Sequence, residues 1–328
     1  MGNGLSFANA AVEQERVEAA ARLLGARLDP RGPGDATVIM VLAAAYAVTC
    51  AGAAYMAWHR DYPPIRSKSP LLLAGITVCA VLWFVGGLPS DGHVGLRGTA
   101  FENCKAFGMW MRIICGVSSL CGLWAARAYG QFRAFRLGKP FRGRGVYIPL
   151  LVFAICLLAF GTVVQVLSPE RSLHYVEPLD LCVISSWTSM VVLSINWTIW
   201  AAVAALGWMC RNVKTSFREG RETALGCVCV CVVLVSITVV KFAAPRYPLS
   251  LRLRILVTAV DHSATNLYLW LIMAKPVLNC IFRRDCYLDQ WVGKLVEDGL
   301  QLQYAMACDD DDQHNVTTMY LTCSSRTA

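Results

Sequence analysis

Charged residues are scarce in this chain of 328 residues. They make up 16% of the sequence, whereas apolar residues make up 56%, and the mean hydropathy is +0.48. A soluble domain is typically about a quarter charged. This composition therefore excludes an ordinary soluble globular protein.

The sequence also lacks the motifs of common enzyme classes. It has no glycine-rich phosphate loop, no paired carboxylates at a shared depth, and no set of His and acidic residues within one apolar stretch. Cys227, Cys229 and Cys231 have metal-like spacing, but on a helix they fan around the axis, so we expect them to act as small apolar residues. Lys275 lies at the inner end of the last stretch, too shallow for a retinal lysine. We predict no enzyme, no metal site and no cofactor.

Long apolar runs are what the sequence has in abundance. Seven runs each reach roughly 20 residues, the length with which a helix crosses the hydrocarbon core of a membrane. The fold class that they predict is an all-α membrane protein, a bundle of seven transmembrane helices. The predicted spans are Ala36–Trp58, Pro70–Leu88, Cys104–Arg127, Val146–Leu167, Val183–Met209, Thr223–Ala243 and Leu253–Lys275.

Basic residues are concentrated on alternate connections between these runs. The first, third and fifth connections contain twelve Lys and Arg residues, and the second, fourth and sixth contain four. Because short cytosolic loops carry the excess of Lys and Arg, this bias places the N-terminus outside and the C-terminus in the cytosol. The net charge of +8 mostly reflects this bias and does not indicate nucleic-acid binding. The predicted location is the plasma membrane, crossed several times.

Short segments flank the predicted bundle of residues 36–275. Residues 1–35 form an extracellular tail without the pattern of a cleavable signal peptide, so we expect the first span to act as the signal anchor. Its apolar residues suggest a small amphipathic helix. These residues are Val12, Val17, Ala20 and Leu24.

Residues 276–328 form the predicted cytoplasmic tail. A helix over Tyr287–Met306 is expected to lie beside the membrane, and the run Asp309–Asp312 begins an acidic, disordered end. Cys280 and Cys286 lie just inside the membrane and are candidates for palmitoylation.

The topology selects one cysteine pair and one pair of charges. Cys104 and Cys182 both lie at the predicted outer surface, where disulfides persist, so we expect them to be bridged. Arg112 and Asp261 lie at equal depths, roughly 12 Å below the outer boundary. A charge left alone in hydrocarbon is costly. We therefore predict an Arg112–Asp261 ion pair, serving as a structural latch or as the floor of a small polar ligand site, with Trp110 as a candidate ligand-lining residue.

Two connections have distinctive sequences: the run RNVKTSFREGR from Arg211 to Arg221, and the run Pro64–Pro70. They resemble the third and the first cytoplasmic loops, respectively, of class C (glutamate/GABA-B type) G-protein-coupled receptors. The spacing of Cys104, Trp110, Gly116, Arg127 and Phe135 follows that of their third helix. The resemblance covers roughly residues 36–285, and it extends to fungal seven-helix proteins in runs such as Met109–Arg112.

The resemblance implies a receptor that passes an extracellular signal to a heterotrimeric G protein. In this family the second and third cytoplasmic loops contact the G protein. Phe217 would then be the preferred contact, and Glu219 would pair with a neighbouring base in the resting state. The basic residues around these helix ends would also touch anionic lipid. The candidate contacts are Arg133, Arg136, Arg211, Phe217, Glu219 and Arg221.

Other functions are compatible with seven spans. A polytopic transporter or channel is one alternative, although the odd number of spans and the lack of an inverted repeat speak against it. A non-signalling membrane scaffold is another, since residues 276–328 are too few for the regulator domain of the fungal proteins, which needs on the order of a hundred residues. The sequence leaves open the extracellular ligand and whether the chain forms a homodimer.

Overall fold

The computed structural model describes residues 10–137, 139, 144–210, 219–244, 247–297 and 299, with the backbone alone at 135, 219–221 and 223. Helices dominate this part of the chain. They are α1 (Ala10–Leu24), α2 (Pro33–Trp58), α3 (Pro63–Arg66), α4 (Pro70–Ser90), a π-helical segment (Lys105–Ser118) continued by α5 (Ser119–Arg136), α6 (Arg144–Val166), α7 (Ser186–Met209), α8 (Glu219–Ala243), α9 (Leu251–Phe282) and α10 (Arg284–Glu297). Strands β1 (Leu173–Val176) and β2 (Leu181–Ile184) form a hairpin, and single 3₁₀ turns lie at Ala100–Glu102, Pro169–Arg171 and Glu177–Leu179.

Seven of these helical segments are long and apolar enough to cross a membrane, which confirms the predicted bundle. In chain order, the spans are α2, α4, the π-helical segment with α5, α6, α7, α8 and α9. The main difference from prediction is at the seventh span, which continues past Lys275 to Phe282 with Pro276 inside the helix. Its 32 residues give a length of about 48 Å, so it extends beyond the roughly 30 Å hydrocarbon core.

The second and third spans approach each other closely at two glycines. A Cβ atom built on Gly86 would lie 2.6 Å from the backbone nitrogen of Arg112, and one built on Gly116 would lie 2.8 Å from Cα of Trp83. The third span departs from regular helical geometry at Gly116, where ψ is −107°. Backbones can meet this closely only where small residues remove the intervening side chains.

One end of the bundle, called the disulfide end below, is covered by the hairpin of β1 and β2. Cys104 at the start of the third span is bridged to Cys182 of β2, with Cα atoms 5.6 Å apart, which confirms the predicted disulfide. The strands pair antiparallel from Leu173 with Ile184 to Val176 with Leu181. Helix α1 packs against the turn between them through Ala20, Leu179 and Leu181.

The opposite end, called the basic end below, carries α3 and α10. Trp291 and Leu295 of α10 are buried, whereas Val296 is 52% exposed, and Tyr62 donates a hydrogen bond to the carbonyl of Arg284 at 2.7 Å. The helix ends at Glu297. Of the rest of the predicted Tyr287–Met306 helix, Gly299 lies in a turn with φ 64°, and residues 298 and 300–306 lie outside the described residues.

The N-terminal helix differs from its predicted amphipathic pattern. Ala20 is buried as expected, but Leu24 is 53% exposed, whereas the charged residues Glu13 and Arg16 face inward and are buried. Their burial is possible because other charged residues meet them there, as described below. The hydropathy pattern of α1 therefore predicts its buried face only in part.

Candidate functional site

A cavity of about 590 Å³ lies within the bundle toward the disulfide end. Trp124, Trp200 and Tyr268 line its deep part, and the Trp124 and Tyr268 rings stack with centroids 4.1 Å apart. Leu181 of the hairpin and Leu23 and Leu24 of α1 line the opposite part. A mostly apolar concave site with a few polar groups is typical of small-molecule binding.

The charged residues in the wall of the cavity are paired differently from the prediction. The Arg112 Nη2 atom lies 2.7 Å from Asp91 Oδ1, and Tyr247 donates a hydrogen bond to the same oxygen at 2.5 Å. Asp261 instead accepts a hydrogen bond from Ser236 at 3.1 Å. The predicted Arg112–Asp261 pair is therefore wrong as a direct contact, although both residues line the cavity.

Asp91 was missed because it caps the end of the second span, three residues beyond the predicted boundary at Leu88. The predicted pairing takes into account only charges inside the predicted spans. The close approach of the second and third spans at Gly86 brings Asp91, at the end of the second span, within 2.7 Å of Arg112. The close packing of these two backbones cannot be predicted from the hydropathy of the sequence.

Trp110 does not line the cavity. Its Nε1 atom donates to Gln165 Oε1 of the fourth span at 3.2 Å, and its ring packs beside Gly161. Residues two apart on a helix point in different directions. Because Arg112 faces the cavity, Trp110 faces the fourth span, and the predicted ligand-lining role is wrong.

Among the described residues, two buried side-chain polar atoms at the cavity have no hydrogen-bond partner. They are Oδ1 of Asn196, on the fifth span, and Nδ1 of His174, on β1. Asn196 is only 2% exposed. By contrast, the buried Asn266 of the seventh span accepts from Thr49 at 2.7 Å and donates to the carbonyl of His262 at 2.8 Å. A buried carbonyl without a partner is costly, so the orphaned Asn196 oxygen indicates a binding group rather than a structural one.

Four buried charged residues join α1 to the bundle, and we call them the four-charge cluster: Glu13, Arg16, Arg31 and Asp180. Arg31 Nη1 lies 2.5 Å from Asp180 Oδ2 and 3.4 Å from Glu13 Oε1, and Arg16 Nη1 lies 2.5 Å from Glu13 Oε2. Arg16 also donates through Nε to the carbonyl of Leu179 at 2.7 Å. The side chains of these four residues are at most 7% exposed.

Electrostatics keep Arg16 and Asp180 of this cluster charged near neutral pH. Burial lowers the pKa of Arg16 to about 10, which still leaves it protonated. Burial alone would raise the pKa of Asp180, but the hydrogen bond from Arg31 and its positive charge offset this and hold that pKa below the ordinary value. Asp180 also accepts hydrogen bonds from the backbone N–H groups of Leu96 and Arg97, the latter at 2.9 Å.

At the basic end an ion pair joins the first connection to the sixth span. Lys68 Nζ lies 2.7 Å from Glu222 Oε2, and the guanidinium of Arg127 donates to the carbonyl of Lys68. The acid of this pair is Glu222, whereas the predicted pairing of Glu219 concerns a side chain outside the described part of the chain and stays a prediction. Lys68 and Glu222 were not predicted as partners, because their separation along the chain gives no signal of contact.

Most of the predicted contacts for a partner lie at or near this end. Arg136 donates through Nε to the carbonyl of Met209 at 3.0 Å, and Arg133 is half-buried beside Gly145. Arg211 and Phe217 lie outside the described residues, and only the backbone of Glu219 and Arg221 is described, as part of α8. Their proposed contacts stay predictions.

The two cysteines predicted to be acylated differ in accessibility. Cys280 is 5% exposed within α9, and Tyr55 donates a hydrogen bond to its sulfur at 3.5 Å. A buried thiol in this position cannot take an acyl chain without rearrangement, so the prediction for Cys280 is wrong in this conformation. Cys286 on α10 is exposed, and its acylation stays a prediction.

The protein-family comparison matches residues 33–276 to the family described as "7 transmembrane sweet-taste receptor of 3 GCPR". The match runs through all seven spans and covers well over half of the chain. The chain belongs to the class C, or family 3, seven-transmembrane receptors. It is a multi-pass membrane protein with a receptor-type domain. No match to this chain is found among curated proteins.

The range that matches the class C family contains the cavity residues of the spans but only part of the four-charge cluster. The matched range includes Asp91, Arg112, Asn196 and Asp261, whereas Glu13, Arg16 and Arg31 of the four-charge cluster precede residue 33. The resemblance to the fungal seven-helix proteins stays a prediction.

The Arg112–Asp91 pair can be tested with two matched substitutions in this class C receptor. Asp91→Asn removes the negative charge opposite Arg112, so we expect it to lower the free energy of unfolding by about 3 kcal/mol or more. Asp261→Asn keeps an acceptor for Ser236 and should change it by less than about 1 kcal/mol. Thermal unfolding of the purified protein in detergent measures both. Equal losses, or a larger loss at Asp261, would restore the Arg112–Asp261 alternative.

Proposed function

We propose that this chain is a plasma-membrane receptor that binds a small molecule in its cavity and passes the signal to a heterotrimeric G protein. The observation that carries the proposal is the placement of the sixth span. Its residues Val233, Ile237 and Lys241 line the cavity, and Glu222 near its other end pairs with Lys68. A movement of this one helix would couple the two ends of the bundle.

The distance involved suits such a relay. Glu222 and Lys241 lie 19 positions apart in a continuous helix, which corresponds to about 28 Å along its axis. A ligand that favours one position of the sixth span shifts the population toward that position only if it binds it more tightly. Breaking the Lys68–Glu222 pair should favour the same shift from the other end.

The orientation needed for this function is supported by the charge bias of the connections. The disulfide end, with the cavity, would face outward, and the basic end would face the cytosol. The class C family supports a G-protein partner at the second and third cytoplasmic loops. Phe217, Arg211 and Arg221 are the proposed contacts in the third loop, with Arg133 and Arg136 beside them.

The chemistry of the cavity favours a neutral, mainly apolar ligand that carries a hydrogen-bond donor. The charge of Arg112 is neutralised by Asp91, and the two other charged residues of the lining, Lys241 and Asp261, are of opposite sign, so the wall has no excess of one charge. Asn196 Oδ1 is a buried acceptor without a partner. A hydroxyl or N–H group of the ligand would supply the missing hydrogen bond, whose absence costs about 1–3 kcal/mol.

Coupling can be tested without knowing the ligand, because the resting contact can be broken by mutation. In vesicles containing the chain and purified G proteins, Glu222→Gln should raise agonist-independent nucleotide exchange at least about fivefold, since it removes a contact of the resting state. Adding Phe217→Ala and Arg221→Ala to the same variant should abolish the increase.

A matched control is Glu297→Gln, the same chemical change at an exposed residue of α10, which should leave exchange unchanged. The proposal is contradicted if Glu222→Gln and Glu297→Gln give the same exchange rate with every G-protein class while both are correctly folded. Solute or ion flux through the wild-type chain in liposomes would instead support a transporter or channel.

The proposed ligand chemistry can be tested with two neutral probes that differ by one hydroxyl, 4-cyclohexylphenol and phenylcyclohexane. We expect the phenol to bind about fivefold more tightly to the wild type, because its hydroxyl can donate to Asn196. In Asn196→Leu this difference should disappear. Ligand-induced shifts of the thermal unfolding temperature measure both affinities, and an undiminished preference in Asn196→Leu would contradict the role of Asn196.

A further inference from the structure

We propose that the N-terminal helix α1 is a built-in part of the ligand site, held over the cavity by the four-charge cluster, and that release of this cluster controls entry to the site. The inference extends the proposed function, since it takes the cavity as the ligand site. It does not depend on coupling to a G protein.

Two leucines place α1 in the wall of the cavity. Leu23 and Leu24, in its last turn, line the cavity together with Leu179 and Leu181 of the hairpin. They are still 62% and 53% exposed. Leucines that are this exposed bury too little apolar area to hold the helix in place by themselves. Other contacts of α1 must therefore hold its last turn at the cavity.

The apolar contact beneath α1 is small. Ala20 of the helix is fully buried in a small cluster with Leu28, Leu179, Leu181 and Leu249, and Val17 and Ala19 pack against this cluster while only partly buried. An isolated helix of this length is marginal in water. The stability of α1 in this position therefore depends on its polar contacts.

The four-charge cluster provides these contacts from three separate parts of the chain. Glu13 and Arg16 belong to α1, Arg31 lies just before the first span, and Asp180 lies in the hairpin next to Cys182. The cluster carries two positive and two negative charges, so each ion finds a partner out of water. Removing one member would leave an uncompensated buried charge, which destabilises this arrangement strongly.

The same geometry makes the attachment reversible. Glu13 and Arg16 belong to α1, which lies outside the seven spans. Arg31 donates through Nε to the carbonyl of Gly92 at 3.0 Å, so it has a contact with the bundle that does not involve α1. If the cluster opens, α1 and its leucines can leave the cavity while the seven spans and the disulfide keep their places. Helix α1 therefore acts as a lid over the cavity, and the four-charge cluster holds it in place.

A reporter thiol inside the cavity tests this directly. Val257 lines the cavity and is 5% exposed, so Val257→Cys should react slowly with a small, negatively charged methanethiosulfonate added from water. The charge of the reagent keeps it from entering through lipid. Peptide-resolved mass spectrometry of the full-length protein separates position 257 from the native cysteines.

In the reporter protein, Glu13→Gln should raise the rate of modification at position 257 at least about tenfold, because it removes a buried partner of both Arg16 and Arg31. The matched control is Glu15→Gln, the same change two residues away. Glu15 pairs only with the exposed Arg97, at 3.1 Å, so this variant should keep the wild-type rate.

Equal modification rates in the Glu13→Gln and Glu15→Gln proteins would overturn the proposal. If Glu13→Gln fails to fold, Arg16→Lys keeps the charge but cannot reproduce both the Leu179 and the Glu13 hydrogen bonds, and it should accelerate the reaction in the same direction. Amide exchange of α1 should rise in parallel, while exchange in the spans stays unchanged; unchanged exchange in α1 would also overturn it. Receptors that fail to activate a G protein but pass this test would contradict only the proposed coupling.

Discussion

Neutralisation of buried charge is the constraint on which this structure depends. Charges removed from water are costly unless a partner of opposite sign lies close by. The structure meets this requirement with ion pairs at both ends of the bundle, such as Arg112 with Asp91, Arg254 with Asp35 and Lys68 with Glu222. Each pair joins segments that are distant along the chain or separated by a loop. The ion pairs therefore fix the positions of these segments relative to one another, which apolar contacts alone would not specify.

The same constraint explains what the sequence could and could not reveal. The seven spans and the Cys104–Cys182 bridge follow from apolar length and from the alternation of basic loops, which are local properties. The partner of Arg112 depends on how closely two backbones approach at Gly86, which is a property of the packed structure. The burial of Glu13 and Arg16 likewise depends on residues 31 and 180, and no local pattern indicates that they meet.

The cavity and the basic end are linked through shared structure. The sixth span contributes to the wall of the cavity and to the contact with Lys68, and the proposed function assigns the coupling of the two ends to this helix. The N-terminal helix adds a third element at the disulfide end. Three residues of the four-charge cluster, Glu13, Arg16 and Arg31, precede the range that matches the class C family.

The orientation of the bundle is the central claim of this account, because a receptor needs the cavity outside and the basic end in the cytosol. Antibody access to an epitope placed at each terminus, on intact and on permeabilised cells, measures it most directly. We predict that the N-terminal epitope is bound on intact cells and the C-terminal one only after permeabilisation. Binding of the C-terminal epitope on intact cells, or of neither epitope before permeabilisation, would contradict the account.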